Sequence, residues 1–184
     1  MIPAAKPLIG DEERAAVDRV LRSGMLAQGP EVAAFEEEFS KHVGGRHCVA
    51  MNSGTSALHL GFIAGGIKPG DEVIVPSFSF AATANSVVLA GGVPVFADID
   101  PKTFNIDPNH VESLITKKTK AIMPVHLYGH IAAMDELNAI AAKHNLIVFE
   151  DAAQAIPSGK IQAEGCHSSL EHHVLIQSFS SSLF

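Results

Sequence analysis

The sequence predicts an α/β fold, a three-layer α/β/α arrangement around a mostly parallel sheet. From residue 46 onward, short apolar runs alternate with stretches whose apolar residues recur at helical spacing. Runs such as Val73–Val75 and Ile147–Phe149 are continuously apolar, which is typical of strands buried on both faces. Joints that contain Gly, Pro or Asp separate the two kinds of segment. These observations together indicate parallel strands covered by helices.

Composition narrows the class of protein further. The chain has 184 residues, of which 47% are hydrophobic and 18% charged, with a formal net charge of −7. This hydrophobicity excludes disorder, and the length suits one ordinary domain. The acidic balance and the lack of a long apolar run predict no nucleic-acid or membrane partner. Because the two cysteines form no disulfide framework and the N-terminus lacks a signal-peptide pattern, we expect a cytoplasmic protein.

Two helices are predicted before the alternation begins. Asp11–Ser23 has acids in its first turn, and Gly24 follows as a plausible C-cap. Glu31–Lys41 carries an apolar stripe on one face. We expect these helices to pack on a sheet or on a partner subunit rather than to carry chemistry.

The remaining elements follow in order along the chain. The predicted strands are His47–Met51, Glu72–Pro76, Val93–Asp98, Lys120–His126 and Leu146–Asp151. The predicted helices between them are Thr55–Ala64, Ala81–Ala90, Pro108–Thr116 and Met134–His144. Residues 156–184 interrupt this alternation with a polar, serine- and histidine-rich stretch. One apolar run in that stretch, Val174–Ile176, could form a sixth strand.

Candidate site residues follow the strands, because ligands bind beyond the carboxyl ends of strands in an open parallel sheet. Gly54, Thr55 and Ser56 come after the first predicted strand and open a helix. Gly54 permits a tight turn, and the two hydroxyl groups and the free backbone N–H groups of the helix could hold a phosphate. The same residues also suit a helix N-cap that binds no ligand.

Two aromatic residues and a carboxylate mark the ends of two further strands. Phe78 and Phe80 are two apart, so one ring could enter the core while the other faces a planar ligand. Asp151 ends an apolar strand, where a carboxylate is costly to bury unless it caps a helix or pairs with a cation. Together these places predict a site for a planar, phosphorylated, cationic ring. The G-x-G-x-x-G and Walker motifs of nucleotide-binding folds are absent from the sequence.

Five segments carry motifs in a fixed order. They are Gln28–Val32, Asn52–Leu58, Gly70–Phe80, Pro124–Gly129 and Glu150–Ala155. This series resembles the DegT/DnrJ/EryC/StrS sugar aminotransferases, which are pyridoxal 5′-phosphate (PLP) enzymes of the aspartate aminotransferase fold type I. The resemblance implies that residues 1–155 are the N-terminal part of the PLP-transferase large domain. Residues 156–184 would then be a divergent tail, either frameshifted or disordered.

The resemblance also implies a role for each candidate residue. The segment Gly54–Ser56 would hold the phosphate of PLP, and Phe80 would stack on its pyridine ring. Asp151 would pair with the pyridine nitrogen, and Gln154 would hydrogen-bond the 3-oxygen of the ring. The implied reaction transfers an amino group from glutamate to a keto group of a nucleotide-linked sugar, for polysaccharide or antibiotic-sugar biosynthesis. Family members are homodimers, so a homodimer is expected here.

One departure from the family concerns the catalytic lysine. In the family this residue follows the sixth strand and forms the Schiff base, whereas no lysine follows Lys160 in this sequence. Lys160 itself precedes any sixth strand. We therefore expect that this chain does not transaminate and that the C-terminal domain and last strands are missing. The strand before the phosphate segment would then have an unpaired edge.

Other functions stay open at this point. A PLP-dependent sugar dehydratase would use a histidine in place of the lysine, for which His172 and His173 are candidates in an unmatched context. A non-catalytic remnant could instead associate with an intact paralogue, and a plain α/β binding domain would use no PLP. We expect no metal site, because the tail histidines and Cys166 lack paired-ligand spacing.

Overall fold

The computed structural model describes residues 8–155 and 173–176 of the chain. The chain divides into two compact units. One contains the described residues up to Ala50, and the other contains the described residues from Met51 onward. Of the expectations for the tail, those that concern Lys160, Cys166 and His172 lie outside the described residues.

The first unit consists of two helices. Helix α1 spans Asp11–Ser23 and ends at Gly24, whose φ of 71° is the left-handed conformation that suits a C-cap. Helix α2 spans Pro30–His42. The Arg19 guanidinium on α1 donates two hydrogen bonds, of 3.0 and 3.2 Å, to the Glu31 carboxylate on α2. Both predicted helices are confirmed, and neither buries a residue in the described structure.

The second unit is an α/β structure in which every strand pair is parallel. Its strands are β1 (Glu72–Pro76), β2 (Val93–Ala97), β3 (Thr119–Ile122), β4 (Ile147–Asp151) and β5 (His173–Ile176). Its helices are α3 (Gly54–Ala64), α4 (Ala82–Leu89), α5 (Pro108–Ser113) and α6 (Met134–His144), with a 3-10 turn at Leu127–Gly129. The strand order is β2-β1-β3-β4-β5. Because the strands are parallel, their carboxyl ends lie at one edge of the sheet. The parallel sheet and its helices confirm the predicted fold class.

The core lies on both faces of this sheet. Val73 and Val75 of β1 pack on one face with Phe62 of α3, while Ile74 packs on the other face with Leu137 of α6. All five side chains are fully buried. Because successive residues of a strand point to opposite faces, continuous apolar runs are what a sheet covered on both sides requires.

The predicted strand at His47–Met51 is wrong. This segment is extended but pairs with no strand in the described structure. The Ala50 N–H instead donates a 2.7 Å hydrogen bond to the Glu36 carboxylate. Val49 is 70% exposed. An apolar sequence favours an extended backbone, but a strand forms only where a neighbouring backbone completes the hydrogen bonds.

Two other strands differ from their predicted bounds or extend the sheet. Strand β3 ends at Ile122, before the predicted end at His126. The reason is Pro124, which has no N–H to donate to the ladder. The sixth predicted strand is confirmed as β5, which pairs with β4 in parallel register. Within the described residues, no helix has the length and apolar character needed to cross a bilayer.

Candidate active site

The predicted phosphate segment forms the first turn of α3. Ser53 caps this helix, since its Oγ accepts a 3.1 Å hydrogen bond from the Ser56 N–H and lies 3.0 Å from the Ser56 Oγ. The N–H groups of Gly54 and Thr55 have no acceptor among the described residues. Capping and anion binding are therefore compatible here, because the cap leaves two donors available at the positive end of the helix dipole.

The two aromatic residues after β1 do not divide between core and surface. Phe78 is 47% exposed and Phe80 is 63% exposed, so the expectation that one ring enters the core is wrong. The alternation of the strand stops at Pro76, and the backbone turns away before α4 begins. The ring of Phe78 lies 6.1 Å from that of Phe104. The ring of Phe80 remains exposed enough to face a planar ligand.

Asp151 ends β4 and is buried. Its Oδ1 accepts a 3.1 Å hydrogen bond from the Ala153 N–H, so the side chain caps a turn rather than a helix. Within residues 8–155, no Lys, Arg or His forms an ion pair with it. Burial raises the pKa of the Asp151 carboxyl, outweighing the opposing effects of the Ala153 hydrogen bond and of nearby His126. A cationic ligand at this carboxyl would stabilise its ionised form.

Gln154 lies three residues further along and contacts the turn that follows β3. Its Oε1 accepts a 2.7 Å hydrogen bond from the Tyr128 N–H. No described residue accepts a hydrogen bond from the Gln154 side-chain NH₂, which therefore remains a free donor. Gly129 adjoins this contact with a φ of 83°, and a Cβ at that position would lie 3.3 Å from the Gln154 carbonyl oxygen. The close approach and the positive φ both favour glycine there.

His126 and Glu150, the residue before Asp151 in β4, form a buried polar pair that was not predicted from the sequence. His126 is fully buried, and its Nε2 lies 2.9 Å from the Glu150 Oε2. The His126 Nδ1 accepts a 3.2 Å hydrogen bond from the Ala132 N–H. The ring hydrogen is therefore on Nε2, and this N–H donates a hydrogen bond to the Glu150 carboxylate. The only signal in the sequence was the position of this histidine within the motif Pro124–Gly129.

The fold brings the candidate residues to one side of the sheet. Asp151 ends a strand, and Phe80 follows the end of another, at the shared carboxyl edge. Helix α3 packs against α4 and β4 and leads by a short connection to the start of β1, so its first turn points toward that same edge. This edge thus offers N–H donors for an anion, an exposed ring, a carboxylate without a cation and an amide donor. Across residues 8–155, no group of His, Cys, Asp or Glu side chains is arranged to hold a metal ion.

Comparison with known sequences gives a family for the chain. Residues 7–173 match the DegT/DnrJ/EryC1/StrS aminotransferase family. The spore coat polysaccharide biosynthesis protein SpsC of Bacillus subtilis is 50% identical over 155 residues, which cover 84% of this chain and 40% of that protein. The GDP-perosamine synthase of Caulobacter vibrioides is 48% identical over 153 residues, covering 83% of this chain and 41% of the synthase.

Solved structures show the same relationship. NtdA from Bacillus subtilis, with bound cofactor PMP, superposes with a TM-score of 0.78 at 42% identity, covering 84% of this chain and 37% of NtdA. The aminotransferase from Psychrobacter cryohalolentis gives a TM-score of 0.80 at 42% identity, covering 85% of this chain and 40% of that protein. The chain thus spans about two fifths of the length of these relatives. It belongs to the DegT/DnrJ/EryC1/StrS aminotransferase family.

Proposed function

We propose that this chain forms the cofactor-binding part of a PLP-dependent sugar aminotransferase. The observation that carries the proposal is the buried Asp151 carboxylate, which has no cationic partner among the described residues and whose pKa is raised by burial. A protonated pyridine nitrogen is a planar cation that would satisfy this carboxylate. The PMP bound to NtdA is a cofactor of this ring type, which supports the proposal.

Each candidate residue has a role in this proposal. The free N–H groups of Gly54 and Thr55 and the Ser56 hydroxyl bind the cofactor phosphate. Phe80 covers one face of the pyridine ring. Asp151 holds a proton on the ring nitrogen, and the Gln154 NH₂ donates to the 3-oxygen. When bound, PLP supplies an electron sink for the carbanion formed during amino transfer.

The names of two relatives support a substrate class. A GDP-perosamine synthase and a UDP-2-acetamido-2-deoxy-3-oxo-D-glucuronate aminotransferase, the latter 45% identical over 161 residues, are both named for nucleotide-linked sugars. We propose that the complete enzyme moves an amino group from glutamate to a keto group of such a sugar and works as a homodimer. In this proposal residues 1–155 belong to the large domain, and residues 156–184 form a divergent tail.

Direct binding of pyridoxamine 5′-phosphate (PMP) to the purified chain tests this function. PMP is preferable to PLP here because its amine cannot form imines with surface lysines. We expect saturable binding by calorimetry, and Asp151→Asn should weaken it by about tenfold or more, since a charge-assisted hydrogen bond contributes about 1.5–3 kcal/mol.

The matched control is Asp135→Asn, which removes an exposed carboxylate in the first turn of α6. It should leave PMP affinity within about twofold of the wild-type value. Circular dichroism establishes that each variant is folded. A folded wild-type chain that binds no PMP, or one whose affinity is the same with Asn at position 151, would contradict the proposed function.

A further inference from the structure

One buried amide holds both sides of the turn after β3. Asn105 is 3% exposed and lies in the connection between β2 and α5. Its Oδ1 accepts a 3.1 Å hydrogen bond from the Leu127 N–H. Its Nδ2 donates a 2.9 Å hydrogen bond to the His130 carbonyl oxygen. A single side chain from another part of the sequence therefore fixes the backbone on either side of Tyr128.

The turn needs such support because its backbone is unusual. Tyr128 has a φ of 53°, in the left-handed region that residues other than glycine rarely adopt. Its side chain is 78% exposed, so packing of that side chain does not hold the conformation. The Asn105 hydrogen bonds, together with the bond from the Ala132 N–H to His126, tie the turn to the buried part of the sheet.

The backbone of this turn also orients the Gln154 side chain. The Tyr128 N–H donates to the Gln154 Oε1 over 2.7 Å, which decides that the oxygen end of the amide faces the turn. The NH₂ end is then presented on the opposite side, as a donor. If the Tyr128 N–H moved, the Gln154 amide would lose the contact that distinguishes its two ends.

We propose that Asn105 is a positioning residue of the cofactor site: it holds residues 127–130 so that the Gln154 NH₂ donates to the 3-oxygen of the pyridoxal cofactor. The inference rests on the proposed function, because it assumes that the ring binds beside Gln154. It predicts a loss of affinity only for ligands that carry a free 3-oxygen. A purely structural role for Asn105 would instead weaken all ligands of the site alike.

The test compares PMP with its 3-deoxy analogue, which has no acceptor for the Gln154 NH₂ at that ring position, by calorimetric titration of the full chain. We expect the wild-type chain to bind PMP about fivefold more tightly than the 3-deoxy analogue, the factor that corresponds to one hydrogen bond of about 1 kcal/mol. This ratio should fall to about one in both Asn105→Ala and Gln154→Ala. The double variant should show no further loss, because both residues act through one hydrogen bond. Asn109→Ala, at an exposed amide on α5, should keep the wild-type ratio.

The outcomes separate the two proposals. Equal weakening of both ligands by Asn105→Ala overturns the positioning role and leaves the proposed function intact. Failure of the wild-type chain to bind PMP overturns the proposed function itself and, with it, this inference. Amide hydrogen exchange of the ligand-free chain gives a second readout. The Tyr128 N–H should exchange faster in Asn105→Ala, and unchanged exchange overturns the inference.

A conservative variant covers the case in which Asn105→Ala does not fold. In its ionised form, Asn105→Asp keeps an acceptor for the Leu127 N–H but has no donor for the His130 carbonyl oxygen. We expect a ratio of PMP affinity to that of the 3-deoxy analogue between the wild-type value and one. A folded Asp variant with the wild-type ratio would show that the second hydrogen bond does not position Gln154.

Discussion

A carboxylate at the end of a buried strand can avoid the cost of its charge by taking up a proton or by binding a cation. Asp151 has the geometry for both, since one of its oxygens accepts from the Ala153 N–H and no described Lys, Arg or His pairs with it. The residue is therefore suited to a ligand that brings its own positive charge. Without such a ligand, burial makes the ionised form of Asp151 unfavourable at neutral pH, and the raised pKa reflects this cost.

This reasoning predicts a pH-dependent stability difference between the wild-type chain and Asp151→Asn. The pKa of Asp151 in the folded chain lies above its ordinary value of 3.8. The folded state therefore binds this proton more tightly, and the contribution of Asp151 to the free energy of unfolding falls as pH rises from 3.8 through the raised pKa. Asn has no charge to bury and can still accept from the Ala153 N–H. At pH 7 we expect a higher free energy of unfolding for the Asn variant.

Urea denaturation across a pH series measures this difference. The advantage of the Asn variant should shrink as the pH falls through the raised pKa of Asp151 toward 3.8. Saturating PMP should reverse the order at neutral pH, because the ring cation then compensates the wild-type carboxylate. A constant difference at every pH would show that the carboxyl charge is not its cause.

At the scale of elements, α3 and β4 meet through a contact that only glycine permits. A Cβ at Gly65, at the end of α3, would overlap the Phe149 ring, which is fully buried on β4. The Phe149 ring also lies edge-on to that of Phe62 of α3, with 4.7 Å between the ring centroids. The backbone of Gly65 has ordinary helical dihedrals, so the steric contact alone excludes a larger residue. This packing sets how closely the helix with the phosphate segment approaches the strand that ends in Asp151.

Gly65→Ala should therefore destabilise the chain by about 1–3 kcal/mol, as overpacking of a core does. The combination with Phe149→Leu supplies the control, because leucine removes the ring that the new methyl group would meet. We expect a smaller cost of Gly65→Ala in the Phe149→Leu background, measured by urea denaturation as a double-mutant cycle. If the cost is the same in both backgrounds, the ring is not what the alanine meets.

At the scale of the whole molecule, we propose that cofactor binding and catalysis are separable. The proposed cofactor contacts all lie within residues 54–154, whereas no lysine follows Lys160 in the sequence. Amino transfer requires a base to move the proton between carbon atoms, and the family uses the lysine for this step. The 184-residue polypeptide is therefore proposed to bind the cofactor and to lack turnover.

A half-reaction tests this separation. The chain is saturated with PMP and supplied with 2-oxoglutarate, and the release of PLP is followed by absorbance. We expect no rate above that of PMP and 2-oxoglutarate in buffer. Turnover would contradict the proposal, and Lys160→Ala would then show whether Lys160 replaces the family's lysine.

Local patterns in the sequence were enough to predict the α/β class, the parallel strands and the family. Continuous apolar runs and helical spacing are set by neighbouring residues, so these features could be inferred without coordinates. The places of Gly54, Thr55, Ser56, Phe80, Asp151 and Gln154 after strands or at a helix start followed in the same way. Their cofactor roles remain predictions that the binding experiments address.

Tertiary structure alone decided the features that depend on residues far apart in the chain. The extended segment His47–Met51 is not a strand, because no described backbone lies beside it to complete a ladder. Phe78 is exposed, because the chain turns at the end of β1. The Gln154 Oε1 accepts a hydrogen bond from the Tyr128 N–H, and the Asn105 side chain, 49 positions before Gln154 in the sequence (154 − 105), bonds to the backbone on either side of Tyr128. Such contacts have no local periodicity, so only the folded chain specifies them.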